Sequence, residues 1–255
     1  MINDLKVVIL AAGKGTRLNS EEVQIPKHMR KVAGKPILEY ILKAVDFIEN
    51  KKDIILVVGF MKKIIMDAFP DEYTFVIQDD TNSLGYGTGA AVRYTQNIIG
   101  EFSGDILVLM GDSPLISKET LLNLYQEHKN KNNDCTNLSV EVNETLELGR
   151  IIRDKNNNFL EIIENKDALE EQRKIKEYNT GNAIFNSKKL FEQLANLKTN
   201  NKNGEYYLTD IPKLFMENNY KVGVYKSDKK QEIYAVNSTE ELELVENILA
   251  SNSTK

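Results

Sequence analysis

The sequence predicts an α/β protein: an open, doubly wound, mostly parallel sheet flanked by helices, continued by a mixed, partly antiparallel extension. Over residues 1–130, short β-branched runs alternate with amphipathic stretches, the rhythm of strand, helix, strand units joined by right-handed crossovers. After Asn130 the apolar runs are separated by polar turns such as Asn156-Asn157-Asn158, which suits antiparallel pairing. The composition agrees: 41% hydrophobic and 28% charged residues, with 5 Pro and 14 Gly in 255, describe a folded chain able to bury a sizeable core.

Taken in order, Lys6-Val-Val-Ile-Leu10 is the first buried strand. Pro36, whose fixed φ suits a first helical turn, opens a helix in which Ile37, Leu38, Ile41, Leu42 and Val45 recur at helical spacing. Ile54-Ile-Leu-Val-Val58, Phe75-Val-Ile77 and Ile106-Leu-Val-Leu-Met110 are the next strands, with helices expected over 62–69, 88–96 and 118–129. In the extension, 136–142, 150–154 and 159–163 read as strands, 187–197 and 206–217 as helices, and 222–225 and 233–236 as late strands. Thr239 is expected to cap a last helix over 239–250, leaving 251–255 as a frayed tail. No repeat or Pro/Gly/Ser-rich linker divides the chain, so 1–250 reads as one domain with halves 1–130 and 131–236.

Charge and cysteine usage exclude several classes. With 33 Lys+Arg against 38 Asp+Glu the net charge is -5, and no long basic run appears, so neither nucleic acid nor a membrane is an expected partner. The longest apolar stretch, 54–61, is broken by Gly59 and falls far short of the ~20 residues that span a bilayer. Cys135 stands alone, which excludes an internal disulfide and a cysteine-built zinc site and points to a reducing, cytoplasmic setting. His28 and His128 lack neighbours that would make a triad or metal site, and both read as structural or surface residues.

Open parallel sheets bind ligands beyond the carboxyl ends of their strands, so a site is sought in the loops after Leu10, Ile77 and Met110. In Leu10-Ala-Ala-Gly-Lys-Gly-Thr-Arg17, two glycines and two alanines let backbone amides approach a phosphate, with Lys14 and Arg17 supplying charge. It is neither a Walker A loop nor a dinucleotide fingerprint, since Leu18 stands where the third glycine belongs. The absence of an acidic residue in Gly59-Phe60-Met61 further disfavours an NAD enzyme. Leu84-Gly-Tyr-Gly-Thr-Gly-Ala90 suits close backbone contact with a base or sugar, Gln78 is a residue type that reads base edges, and Gly111-Asp112 is a common origin of magnesium ligands. Each loop taken alone is also an ordinary turn, and Lys27 and Lys35 alone are also ordinary surface lysines.

In this order the segments resemble the sugar-1-phosphate nucleotidyltransferase family, and within it the N-acetylglucosamine-1-phosphate uridyltransferase (pyrophosphorylase) domains. The likeness runs through the loop 10–17, Pro26-Lys27, Val32-Ala-Gly-Lys-Pro36, Leu84 to Gly89, Gly111-Asp-Ser-Pro-Leu115, Gly149-Arg-Ile-Ile-Arg-Asp154, Ile163-Glu-Asn-Lys-Asp-Ala168, Tyr178-Asn-Thr-Gly181, Gly204-Glu-Tyr-Tyr-Leu-Thr-Asp210 and Val236-Asn237. It implies a Rossmann-like nucleotide-diphospho-sugar transferase fold, with the extension forming the sugar-binding part. It further implies Mg²⁺-dependent transfer of UMP from UTP to N-acetylglucosamine 1-phosphate. By the same likeness, the backbone of Leu10, Ala11, Ala12, Gly13 and Gly15, with the side chains of the catalytic Arg17 and Lys27, holds the triphosphate, while Gln78, Gly87 and Thr88 recognise uracil and ribose. Asp112 and Asn237 are the implied Mg²⁺ ligands. Gly149, Glu164 and Asn179 would bind the amino sugar, with Tyr206 and Thr209 closing its pocket.

Departures from the family pattern bear on specificity. The loop between Arg17 and Pro26 is longer than usual, Leu148 replaces an aromatic residue, and Ala90 replaces a histidine. Glucose 1-phosphate or dTTP as substrate, and a sugar-nucleotide-binding module without turnover, stand as alternatives. The acetylating β-helix of bifunctional members is not encoded in this sequence, so a monomer or weak dimer is expected.

Overall fold

A computed structural model describes residues 2–69, 72–78, 84–199 and 204–253. The apolar run at the start forms β1 (Leu5–Ala11), whose alternating side chains feed both faces of the sheet: Val7 and Ile9 enter one core, Val8 and Leu10 the other. A short helix α1 (Ser20–Val23) and a ribbon of β2 (Lys31–Val32) with β3 (Lys35–Pro36) lead into α2 (Ile37–Ala44), which buries Ile37, Leu38, Ile41 and Leu42. Then follow β4 (Ile54–Val58), α3 (Lys62–Ala68), β5 (Thr74–Ile77), α4 (Thr88–Arg93), α5 (Gln96–Ile99), β6 (Asp105–Met110) and α6 (Lys118–Asn130). The extension comprises β7 (Cys135–Glu141), β8 (Arg150–Arg153), β9 (Phe159–Ile163), β10 (Glu177–Asn186), α7 (Ser187–Asn196), α8 (Ile211–Glu217), β11 (Val222–Ser227) and α9 (Thr239–Ser253).

Among the described residues nine strands form one sheet, with the order β11-β7-β10-β6-β1-β4-β5 and with β8 and β9 branching from β10. The strands β6, β1, β4 and β5 are parallel, as the alternating rhythm requires. β10 runs antiparallel between β6 and β7, so the two halves of the chain share one continuous sheet. One core packs α2, α6 and α9 against one face; the other packs α4, α7 and α8 against the opposite face. Among the described residues no helix is long and apolar enough to cross a membrane.

Several expectations need correction. The helix expected over 88–96 divides into α4 and α5 because the Thr95 hydroxyl donates to the Val92 carbonyl (2.7 Å), competing with the helical ladder. The helix expected over 206–217 begins only at Ile211. Tyr206 is drawn away by the glycine loop: its N–H donates to Tyr86 O (2.7 Å) and its carbonyl accepts from Gly89 N–H (2.8 Å). No strand forms over 233–236; Ile233 ends a 3₁₀ turn and Val236 donates its N–H to Asp112 O at 2.8 Å. The last helix extends to Ser253 and is capped by Ser238, not Thr239: Ser238 Oγ accepts from Glu241 N–H (3.2 Å) while the Glu241 carboxylate accepts from Ser238 N–H (3.1 Å), a capping box. Of the tail expected over 251–255, residues 254–255 lie outside the described ones. β10 was not anticipated as a strand, because the polar residues Asn179 to Asn182 interrupt its apolar pattern at a bulge.

Candidate functional site

Beyond the carboxyl ends of β1, β5 and β6 lie two adjoining cavities. One, of about 580 Å³, is walled by Leu10, Ala12, Gly13, Lys14, Lys27, His28, Gln78, Gly87 and Thr88, among others. The second, of about 370 Å³, is walled by Leu148, Gly149, Glu164, Asn165, Asn179, Tyr207, Thr209 and Asn237, among others. Thr88, Met110, Asp112 and Glu205 belong to both. Asp112 therefore stands at the junction of the two chambers.

Three side chains from distant parts of the chain meet there. Lys27, on a 3₁₀ turn after Pro26, donates from Nζ to Asp112 Oδ2 at 2.5 Å and to Asn237 Oδ1 at 3.0 Å. Asp112 follows Gly111, where a Cβ would stand 2.5 Å from Leu10 O, so only glycine lets β6 run this close to the end of β1. Asn237 is fixed from both sides, by the Val236 N–H bond to Asp112 O and by its own N–H to the Glu241 carboxylate at 2.6 Å. Burial raises the Asp112 carboxyl, but the adjacent Lys27 ammonium more than offsets this and leaves it below the usual carboxylate range. Asp112 is thus held as an anion.

In the larger cavity, Leu10 and Ala11 end β1 and Ala12 and Gly13 turn outward along the wall. Gly15 caps the 3₁₀ turn Thr16–Leu18. Arg17, on that turn, is exposed and lines neither cavity, unlike Lys27. Gln78 leaves β5 with its N–H bonded to Val58 O (2.8 Å) and reaches the wall. Gly87 precedes α4 with φ +107°, and a Cβ there would lie 2.7 Å from Tyr206 O. Thr88 Oγ1 accepts from Leu208 N–H at 3.0 Å. His28, expected to be a structural or surface residue, is buried and lines this cavity; burial beside Lys27 lowers its pKa to about 3, so the ring is neutral, and Nδ1 has no hydrogen-bond partner among the described residues. No pattern in its sequence neighbourhood signals this, because its burial is produced by the tertiary fold.

In the smaller cavity, Gly149, Glu164, Asn179 and Thr209 come together although four separate segments supply them. Asn179 N–H donates to Gly149 O (2.8 Å), and Thr209 Oγ1 donates to Glu164 Oε1 (2.8 Å). Burial pushes the Glu164 carboxyl above its ordinary range, and the Thr209 hydroxyl partly restores its acidity. Tyr206 does not line this cavity. Its ring lies under the Arg93 guanidinium, 4.2 Å from the centroid, and against Gly85, while Tyr207 takes the place on the wall. Glu205 and Tyr207 flank the expected tyrosine in sequence and were missed for that reason alone.

The oxygens of Asp112 and Asn237 suit a hard cation that takes its remaining ligands from phosphate and water. Among the described residues no group of three or more His, Cys, Asp or Glu could hold a metal. The position of this oxygen pair between two chambers, one with a glycine- and lysine-lined wall, suits two phosphate-bearing ligands meeting end to end.

Comparison with known proteins identifies the family. The Nucleotidyl transferase family matches over residues 6–232. The chain is 40% identical over 242 residues to Bifunctional protein GlmU of Streptococcus mutans serotype c (strain ATCC 700610 / UA159), covering 95% of this chain and 51% of that protein. It is 38% identical over 248 residues to Bifunctional protein GlmU of Streptococcus thermophilus (strain CNRZ 1066), covering 97% and 52%. The chain thus spans about half the length of these curated relatives. Two solved structures share the fold at 18% identity. They are UDP-glucose pyrophosphorylase complexed with UDP-glucose (TM-score 0.75, covering 97% of this chain and 98% of that one) and an apo UDP-glucose pyrophosphorylase (TM-score 0.76, 98% and 99%). With a match that reaches from β1 past β11, the chain belongs to the nucleotidyl transferase family.

Proposed function

We propose that the protein transfers UMP from UTP to N-acetylglucosamine 1-phosphate with Mg²⁺, releasing pyrophosphate and forming UDP-N-acetylglucosamine. The observation that carries this reading is the Lys27, Asp112, Asn237 cluster at the junction of two cavities. Residues 1–130 supply most of the nucleotide chamber, and 131–236 most of the sugar chamber.

In the reaction a phosphate oxygen of the sugar 1-phosphate forms a bond to the α-phosphorus, while the bond from that phosphorus to the α,β-bridging oxygen breaks and the electron pair leaves with pyrophosphate. A sugar phosphate has its second pKa near 6, so it is a dianion at neutral pH and needs no general base. A neutral, buried His28 is consistent with that. The task left to the protein is to bring two anions together in line and to neutralise charge on the transferring group. The backbone of 11–15 with Arg17 binds the triphosphate, and Lys27 places its ammonium at the junction where charge develops. Asp112 and Asn237 would hold Mg²⁺, which supplies further neutralisation when bound. Gln78, Gly87 and Thr88 select the base and ribose; Gly149, Glu164, Asn179 and Thr209 orient the sugar hydroxyls and amide, with Tyr206 supporting the glycine loop.

The test is pyrophosphate release over a panel of UTP and dTTP against N-acetylglucosamine 1-phosphate and glucose 1-phosphate, each with and without Mg²⁺. The expected best pair is UTP with the N-acetylated sugar, dependent on the metal. A preference for glucose 1-phosphate or dTTP overturns the substrate assignment. Tight binding of the sugar nucleotide with no pyrophosphate under any condition identifies a binding module instead.

A further inference from the structure

Arg150 opens β8 and is 1% exposed, which makes it the largest fully buried side chain among the described residues. Its acceptors there are neutral. Nη1 donates to Leu148 O (2.6 Å) and Asn165 Oδ1 (2.8 Å), Nη2 to Leu146 O (3.0 Å) and Arg173 O (3.3 Å), and Nε has no partner. The guanidinium lies 5.2 Å from the Tyr178 ring centroid, and the Tyr178 hydroxyl in turn holds the same loop, accepting from Leu146 N–H and donating to Glu144 O. A guanidinium keeps its charge, and burying it without a carboxylate is costly, so a feature that serves packing alone is better built from apolar residues.

The positions of the four acceptors explain what this buried charge does. Leu148 with Gly149 forms one stretch of the wall of the smaller cavity, and Glu164 with Asn165 forms the adjoining stretch, a Cβ on Gly149 standing 3.4 Å from the Glu164 carboxylate oxygens. The backbone brings the two stretches to this point, pairing Arg150 with Ile163 of β9 and with Tyr178 of β10. The fork of Arg150 then spans them and anchors both to the 3₁₀ turn Gln172–Lys174 behind. A planar five-donor fork fixes the relative position of such segments in a way that a single ammonium cannot.

We infer that Arg150 is a positioning residue that sets the width of the sugar chamber, and so determines whether an acylamino or a hydroxyl substituent fits beside Glu164. This rests on the proposed function for the identity of the ligand. Arg150 lines neither cavity; it acts through Leu148, Asn165 and the segments they belong to.

Arg150→Lys and Arg150→Met are to be compared with the parent for kcat and for each KM separately, with thermal melts alongside. In Arg150→Lys the KM for N-acetylglucosamine 1-phosphate is expected to rise about tenfold, and its preference over glucose 1-phosphate to fall about fivefold or more, the size of effect that loss of pocket definition has on discrimination. The KM for UTP is expected to stay within a factor of two. Asn165→Ala, which removes a single one of the four bonds, is the milder variant and gives the same direction with a smaller size, should the Arg150 changes prevent folding. Calorimetric titration with the sugar phosphate and a non-reacting nucleotide must reproduce the split. If both KM values move together, or if only the melting temperature falls, Arg150 is merely structural and the inference is overturned. If the parent turns over neither sugar phosphate, it is the functional reading that fails, and the inference falls with it.

Discussion

Lys27 and Asp112, 85 residues apart in the chain, meet at 2.5 Å between ammonium and carboxylate, and Asn237, 210 residues from Lys27, shares the same ammonium. The contact is largely shielded from solvent, with the two side chains 13% and 10% exposed, so its charge is screened far less than that of a surface pair. Lys27→Met is therefore expected to lower turnover by roughly 10²–10³, or about 3–4 kcal/mol, as for loss of a preorganised charge-stabilising donor. Arg17→Ala is held to the same expectation although Arg17 stands outside both cavities. Initial rates of pyrophosphate release check both. A variant within a factor of two of the parent removes that residue from the machinery.

The His28 ring gives a pH dependence of stability. Its pKa is about 3 in the fold against 6.5 for the free side chain, with burial the largest cause. A lowered histidine pKa contributes stability that is fully present above pH 6.5 and is lost as the pH falls toward 3. By pH 5 the loss is about 2 kcal/mol. His28→Asn, which cannot titrate, is expected to show a flatter decline of melting temperature between pH 6.5 and 4.5; a decline as steep as the parent's contradicts it.

Asp210 has the opposite sign. Burial, with Glu164 and Asp167 nearby, raises its pKa from 3.8 to about 6. A carboxyl raised in this way stabilises the fold below pH 3.8, and that contribution disappears as the pH climbs through 6. Asp210→Asn is expected to gain about 1–2 kcal/mol at pH 7.5, discounted for partial exposure, or roughly 2–6 °C in melting temperature. At pH 4 the gain vanishes. Melts at the two pH values decide it.

Gly87 precedes α4 in a conformation that side chains avoid, with the Tyr206 carbonyl in the space a methyl group would need. Gly87→Ala is expected to cost about 1–3 kcal/mol of stability. It should also raise the KM for UTP severalfold, since Gly87 and Thr88 move with the loop. An unchanged melting curve and an unchanged KM together would falsify the role given to this turn.

In the parallel half, β4 and β6 are legible because they are buried on both faces: continuous apolar runs ended by Gly59 or Gly111 have few competing readings. β10 was not legible, since its bulge is stabilised by side chains bonding backbone, with Asn182 Oδ1 accepting from Met110 N–H (2.9 Å) and Thr180 Oγ1 donating to Leu138 O (3.0 Å). The run 233–236 looks like a strand because it is apolar, but its hydrogen bonds go to a loop carbonyl and not to a ladder. In the site, Asp112 and the glycine loops announce themselves by type and position. The pairing of Asp112 with Asn237 has no local signal and came only through resemblance, and the Lys27 ammonium that bonds both is visible only in the fold. The sequence offers no reason to single out His28 or Arg150, because enclosure by the fold, not residue type, makes them unusual.

The capping box at Ser238 has a mechanical consequence. Glu241 binds the N–H groups of both Asn237 and Ser238, and further along the same helix Glu246 accepts from Ala33 N–H at 2.9 Å while Val245 sits in the core. The terminal helix is therefore a lever whose short arm ends on the backbone of Asn237. Removing the Glu241 carboxylate would slacken that arm.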